Sequence, residues 1–120
     1  MRQSAAHRLR AASEFSRVRE QGVTRAGKCV VVNVLQLPEG GLWRSGIITS
    51  RKVGNAVERN LVRRRLREII RAADLRPGQW VVTVARPTAV QAAFEDLRQD
   101  WLRTARRAGA LQDRKTEAES

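Results

Sequence analysis

A single domain that mixes helices with strands is what this sequence predicts, and three observations carry that reading. The chain has 120 residues, the size of one ordinary domain and too short for a catalytic domain plus a separate binding domain. Runs rich in β-branched residues at 29–35, 47–49 and 80–85 are bounded by turn residues, as strands are. Two longer stretches, beginning near Ala56 and Ala89, instead repeat their apolar residues at the helical period. With 42% hydrophobic and 30% charged residues the chain has the composition of a folded protein. Only 4% is aromatic and there is no Tyr, so Val, Leu, Ile and Ala must fill the core.

Taken in order, Ser13 as N-cap and Gly22 as the C′ residue frame a short helix over 14–21, with Phe15 and Val18 on one face. Lys28 to Leu37 reads as a strand that Pro38, Glu39, Gly40 and Gly41 end, and Leu42 to Ser50 as its successor across the turn. A basic helix follows. Trp80 to Ala85 is the next strand, entered through Arg76-Pro77-Gly78 and left through Arg86-Pro87. From Ala89 to about Ala108, Val90, Phe94, Leu97, Trp101 and Leu102 recur as one last helix. The domain is expected to span 1–108, with 109–120 a disordered polar tail. The one cysteine, Cys29, excludes an internal disulfide and a thiol cluster, which makes a reducing, cytoplasmic compartment the expectation. No signal-peptide pattern and no run of ~20 apolar residues is present, so export by that route and membrane spanning are not expected.

Against 12 acidic residues stand 24 basic ones, a net charge of +12, and 21 of the 24 are Arg. That balance calls for a polyanion. The planar Arg fork meets phosphate in two parallel hydrogen bonds, where Lys acts as a point charge. A GC-rich genome also raises Arg content, so the placement of the charge decides more than its amount.

The placement is local. Between Arg51 and Arg71 lie eight cations and two anions, so half of the net charge sits in about a sixth of the chain. On a helix turning ~100° per residue, Val62, Leu66, Ile69 and Ala73 gather into a core stripe with Ile70 at its margin. Asn60, Arg63, Arg64, Arg67 and Arg71 fall together on a flank away from it. Like charges three and four apart cost a few tenths of a kcal/mol per pair, and the two acids, Glu58 and Glu68, lie outside the row. A solvated face would mix its signs, whereas repeated phosphates need unneutralised guanidinium groups on a rigid support.

The block from Lys52 through Gly54-Asn55-Ala56-Val57-Glu58-Arg59-Asn60 to Arg67-Glu68 resembles the signature of the protein subunit of bacterial ribonuclease P, the ribonucleoprotein that removes the 5′ leader from precursor tRNA. Arg8-Leu9, Glu14-Phe15, Val18 and Gly22 resemble the start of that family, and Val81 to Arg86, followed by Pro87, resembles its fourth strand. The resemblance implies an α+β two-layer sandwich in the order α-β-β-β-α-β-α, with a four-stranded mixed sheet and a left-handed βαβ crossover carrying the Arg-rich helix. Sequence physics alone favours the right-handed crossover.

The resemblance also implies the partners, namely ribonuclease P RNA and precursor tRNA, with no membrane and no small-molecule substrate. Arg59, Asn60, Arg63, Arg64 and Arg67 match family positions that contact the RNA subunit, and Arg51, Lys52, Asn55 and Arg71 extend that surface. For the leader, Phe15 matches an aromatic in the cleft between first helix and sheet. Val30, Val32 and Asn33 fall where the family's sheet faces the cleft, and Arg19, Lys28 and Arg86 join the candidates. Leu61 stands where the family has Arg, Arg19 replaces a second aromatic, and Asn33 replaces a Tyr. Leader binding is therefore expected to depend less on base stacking, worth ~1 to 3 kcal/mol per base, and more on charge.

No catalytic residue is expected in this chain. His7 is the single His and reads as a solvated one in a loose N-terminal segment, and Cys29 reads as a small buried side chain. Asp96 and Asp100, four apart, suit the dipole of the last helix and pairing with Arg98 or Arg103 better than they suit a metal. Phosphodiester hydrolysis needs positioned divalent ions, so no cofactor is assigned to the protein and Mg²⁺ is expected for the ribonucleoprotein, whose RNA would do the chemistry. Trp43, Trp80 and Trp101 read as core or core-edge residues. Gly54 either admits a phosphate at a helix start or makes a simple turn. A ribosomal-type structural RNA-binding protein is the alternative reading, and it would copurify with ribosomal subunits. A self-sufficient nuclease lacks an acid/base set here, and a membrane-surface helix would need the apolar stripe that the core requires.

Overall fold

The computed structural model describes residues 7–112, and the order of its main elements follows from local signals in the sequence. They are α1 (Ala12–Gln21), β1 (Val23–Ala26), β2 (Val30–Gln36), β3 (Arg44–Ile48), α2 (Ala56–Ala72), β4 (Gln79–Ala85), α3 (Thr88–Gln91) and α4 (Phe94–Arg107). This is an α+β fold around a four-stranded mixed sheet of order β1-β2-β4-β3. β2 pairs antiparallel with β1 and β4, and β3 runs parallel to β4, joined to it by the α2 crossover. No helix among the described residues is long and apolar enough to cross a membrane.

The pleat sends alternate residues of β2 and β4 to opposite faces. On one face Val30, Val32, Val34, Val81 and Ala85 pack under α2 and α4, against Leu66, Ile70, Leu97 and Trp101. Trp101 is fully buried and donates its indole N–H to Thr83 Oγ1 at 3.0 Å. The opposite face carries a smaller cluster, in which Val82 packs with Leu9 and Val18. α1 crosses that face, over β2 and β4. Gly22 lets it approach, since a Cβ there would stand 2.5 Å from the Val34 carbonyl oxygen.

Several expectations change. α1 begins at Ala12 with Ala11 as its N-cap, two residues before Ser13, because Glu14 caps it from inside: its Oε1 accepts the N–H groups of Arg10 and Ala11 at 2.8 and 3.0 Å. β1 is a third strand before α2, which the resemblance implied but the residue pattern did not locate; its four residues are all exposed and carry no alternation. The single last helix is two, since Ala92 and Ala93 take extended conformations between α3 and α4. The four-residue step from Val90 to Phe94 keeps the helical spacing across that break and hides it. Ile70 is fully buried, not marginal.

The polar tail starts later than expected. Ala110 and Leu111 are buried, Leu111 bridges to Leu75, and the Ala110 carbonyl accepts from the Gln79 amide at 2.7 Å. These contacts satisfy a buried Gln and close the entry to β4, so 109–112 belong to the domain. The expectation for 113–120 lies outside the described residues.

Candidate nucleic-acid interface

α2 starts where the sequence places it because its first turn caps itself. Asn55 Oδ1 accepts the Glu58 N–H at 2.8 Å while Glu58 Oε1 accepts the Asn55 N–H at 2.9 Å, the reciprocal box that satisfies two otherwise orphan donors. The Asn55 carbonyl-type side-chain oxygen is thus committed to the helix. At Gly54 a Cβ would meet Glu58 Oε1 at 2.3 Å, so the glycine makes room for the cap, the structural of its two readings.

Burying Val62, Leu66, Ile69 and Ile70 fixes the rotation of α2 and turns the Arg row outward. Asn60, Arg64, Arg67 and Arg71 are exposed, as are Arg51 and Lys52 in the preceding turn. Arg59 and Arg63 are half-buried and held: Arg59 Nη1 donates to the Gly54 carbonyl at 3.0 Å, and Arg63 donates to Asn60 Oδ1 at 3.0 Å and to Thr49 Oγ1. Among the described residues the ion pairs are Arg44–Glu14, Arg98–Glu95 and Arg103–Asp100, and none involves an α2 cation. Partial desolvation against the protein surface, and then the neighbouring charges of Arg8 and Arg63, push the Arg67 guanidinium below its ordinary value although the residue is exposed. The row is therefore a rigid, unneutralised cationic edge.

Beside α1, over the β1–β2 side of the sheet, lies an open cleft of about 490 Å³ lined by Ser16, Arg19, Glu20, Thr24, Val31, Asn33 and Val84. Asn33 is buried and oriented, accepting from Thr24 Oγ1 at 2.7 Å. Of the expected leader residues the cleft thus brings Arg19 and Asn33 together. Lys28 and Arg86 are not among its lining residues; the Arg86 N–H donates to the Cys29 carbonyl, beyond the Val31–Val84 pair, and its guanidinium to the Gly27 carbonyl at 2.9 Å.

Val30 and Val32 do not line it. Both are fully exposed to the core under α4 and not at all to solvent, because they share parity with Val34 and oppose Asn33 on the pleat. Val31 and Val84 take their place, and that signal was available: no one face of a strand can hold 30, 32 and 33. Phe15 also departs, lying on the other side of α1 in a recess with Arg8, Arg63 and Arg67. Arg8, which the sequence ties to the family's start but to no site, lies beside these residues.

The remaining chemistry-bearing residues are structural. Asp100, buried, accepts the Lys28 and Cys29 N–H groups at 3.0 and 2.8 Å and so clamps the β1–β2 turn. Burial pushes the Cys29 thiol up, away from reactivity. His7 is not loose: its ring stacks on Trp43 at 4.0 Å, and its Nδ1 lies 2.6 Å from the Trp43 carbonyl oxygen. Trp43 and Trp80 sit at core edges and Trp101 in the core. No three His, Cys, Asp or Glu side chains converge among the described residues.

A family model described as Ribonuclease P matches residues 4–109. The ribonuclease P protein component of Thermus oshimai is 44% identical over 104 residues, covering 87% of this chain and 66% of that protein, just under two thirds of its length. That of Symbiobacterium thermophilum is 39% identical over 109 residues, covering 89% of this chain and 95% of the relative. A solved structure of a Staphylococcus aureus RNase P protein mutant is similar with a TM-score of 0.80 at 25% identity, over 88% of this chain and 91% of that one.

Proposed function

The chain belongs to the ribonuclease P protein family, and from that premise we propose that it is the protein subunit of a cytoplasmic ribonuclease P, binding the catalytic RNA along α2 and the 5′ leader of precursor tRNA in the cleft beside α1. The observation that carries the reading is the unneutralised Arg row, held at fixed rotation by a buried stripe and a self-capped first turn. Phosphates of the RNA subunit supply the anions that the protein itself withholds. Contact with about six of them gives a slope of log K against log salt on the order of −5, since each releases most of a counterion.

Cleavage of the phosphodiester belongs to the RNA subunit and its Mg²⁺. The protein's part is to bind, to screen phosphate repulsion and to hold the leader extended. Arg19 supplies charge in the cleft and Asn33, fixed by Thr24, presents a polar group where a stacking ring would otherwise lie.

The test is reconstitution. The purified chain alone leaves precursor tRNA intact at physiological salt and low Mg²⁺, and restores processing when added to its RNA subunit. Protein-only cleavage that a single substitution abolishes overturns this division of labour. For the cleft, Arg19→Ala lowers the ratio of precursor to mature tRNA affinity severalfold; an unchanged ratio places the leader elsewhere.

A further inference from the structure

The sheet has two edges, and the chain closes them differently. Outside β3 the N-terminal segment runs parallel to the strand, with Arg8 bridged to Ser45 and the Leu9 N–H donating to the Ser45 carbonyl at 3.0 Å. Outside β1 no strand lies among the described residues, and all four residues of β1 are exposed, Val23 at 46%. Such an edge is a template for another chain, because its outward N–H and C=O groups have no ladder partner.

The register identifies those outward groups. Opposed residues of an antiparallel pair alternate between exchanging hydrogen bonds and turning their backbone groups away. The Arg86 N–H donates to the Cys29 carbonyl, so Cys29, Val31, Asn33 and Leu35 direct their backbone groups toward β4. Val30, Val32 and Val34 bond in the other direction: the Gly27 N–H donates to the Val30 carbonyl at 2.7 Å, and Arg25 and Val23 follow at intervals of two. Thr24 and Ala26 are left facing outward.

Each of these two outward carbonyls accepts from a guanidinium. The Thr24 carbonyl takes Arg25 Nη1 at 2.9 Å, and the Ala26 carbonyl takes Arg107 Nη1 at 3.3 Å. Arg25 stands opposite Val32 and so leaves the sheet on the face that α4 covers, and Arg107 lies in the last turn of α4. Both reach the edge from one side. Neither is in an ion pair among the described residues, so each brings an unneutralised charge with it. Arg106, adjacent and also exposed, makes no such contact.

The geometry points to an edge guard: Arg25 and Arg107 hold the two carbonyls that a further strand needs, and so keep a second copy of this chain from adding its β1 here. A second copy is the strand at issue because pairing across a two-fold axis sets the same edge against itself. The N–H groups of each β1 must then meet the carbonyls of the other. With the guards in place, donors and like charges face one another instead. Without them, the edge offers open backbone and the β-branched Val23 and Thr24, which suit pairing. This inference does not rest on the function proposed above.

Sedimentation velocity of the full chain over a concentration series, in salt that screens the net charge of +12, tests the guard. The unmodified chain stays monomeric. The pair Arg25→Thr with Arg107→Ala associates, with a dimer dissociation constant at least about tenfold lower, and either substitution alone, opening one carbonyl, does so less. Arg10→Thr with Arg106→Ala removes the same charge away from the edge and stays monomeric. Equal association of this control makes the effect one of net charge and overturns the guard, as does a guard-free pair no more associated than the unmodified chain. Thr suits a strand and Arg107 is exposed; if the pair disturbs the fold, Arg107→Gln alone carries the same comparison against Arg106→Gln.

Amide hydrogen exchange locates the contact. The Thr24 and Ala26 N–H groups exchange readily in the monomer and gain protection in the associated variant, while the Arg25 N–H, bonded to β2, is protected in both. Association that leaves Thr24 and Ala26 unprotected lies elsewhere on the molecule and overturns the assignment.

Discussion

The two faces of the sheet are built from neighbouring residues and finished differently. Beneath α2 and α4 every second residue of β2 from Val30 to Val34, and of β4 from Gln79 to Ala85, is buried, and the polar groups trapped there, Thr83, Gln79 and Asp100, have partners. On the other face α1 covers the middle and leaves a cleft on one side and a cationic recess on the other. The difference teaches that this chain completes only half of its own burial. Stability is lodged in the closed face, and the open face leaves a cleft and an Arg-lined recess uncovered.

The sharpest way to break that contrast uses two adjacent residues. Val32→Asp puts a charge into the closed face and costs about 4 kcal/mol or more in chemical denaturation, because the carboxylate has no partner there. Val31→Asp, one residue away, faces the cleft and costs under ~1 kcal/mol; similar losses for the two would mean the pleat is phased otherwise. Next in size is Arg64→Ala, which holds stability within ~0.5 kcal/mol while weakening RNA subunit binding and reducing the salt slope by about 1. Unfolding of this variant would show the Arg row to be structural.

The smallest effect belongs to Glu14. The N–H groups of Arg10 and Ala11, and then Arg44, hold its carboxyl below the ordinary 4.5. Its folded value is thus lower than its unfolded one, so it adds stability above about pH 4.5, and that addition is lost as pH falls through the folded value. Solvent screening keeps the contribution under ~1 kcal/mol. Glu14→Gln should match the unmodified protein at pH 3 and fall slightly below it at pH 6; a gap that widens toward acid would reverse the sign.

What the sequence made legible was what is local. The cap, rotation and Arg row of α2 follow from residues within a few turns of one another, and the structure places them as the spacing predicts. The family signature fell in that same segment. β2 was legible as a strand but not in its phase, because Val30, Val31, Val32 and Val34 are chemically alike and Asn33 alone marks the outer face. β1 has no apolar alternation because both of its faces are exposed, and its existence depends on pairing with β2. The start of α4 did leave a trace: Glu95 and Asp96 are the acids expected in a first turn, and they sit after the break that the Val90 to Phe94 spacing conceals. The meeting of Phe15 with Arg67 was not legible, since it is set by tertiary approach across Gly46.

The strand order has a consequence for how the chain comes into being. β4, the last strand to be synthesised, lies between β2 and β3, and β3 has no other strand neighbour. Until Gln79–Ala85 has emerged, the nascent chain can form one hairpin from β1 and β2, and a two-stranded hairpin is marginal in water. The basic helix is therefore translated before the sheet that orients it exists. Long-range closure of this kind makes folding slow relative to a helical bundle, and it leaves an interval in which eight cations between Arg51 and Arg71 are displayed on an unfolded tether.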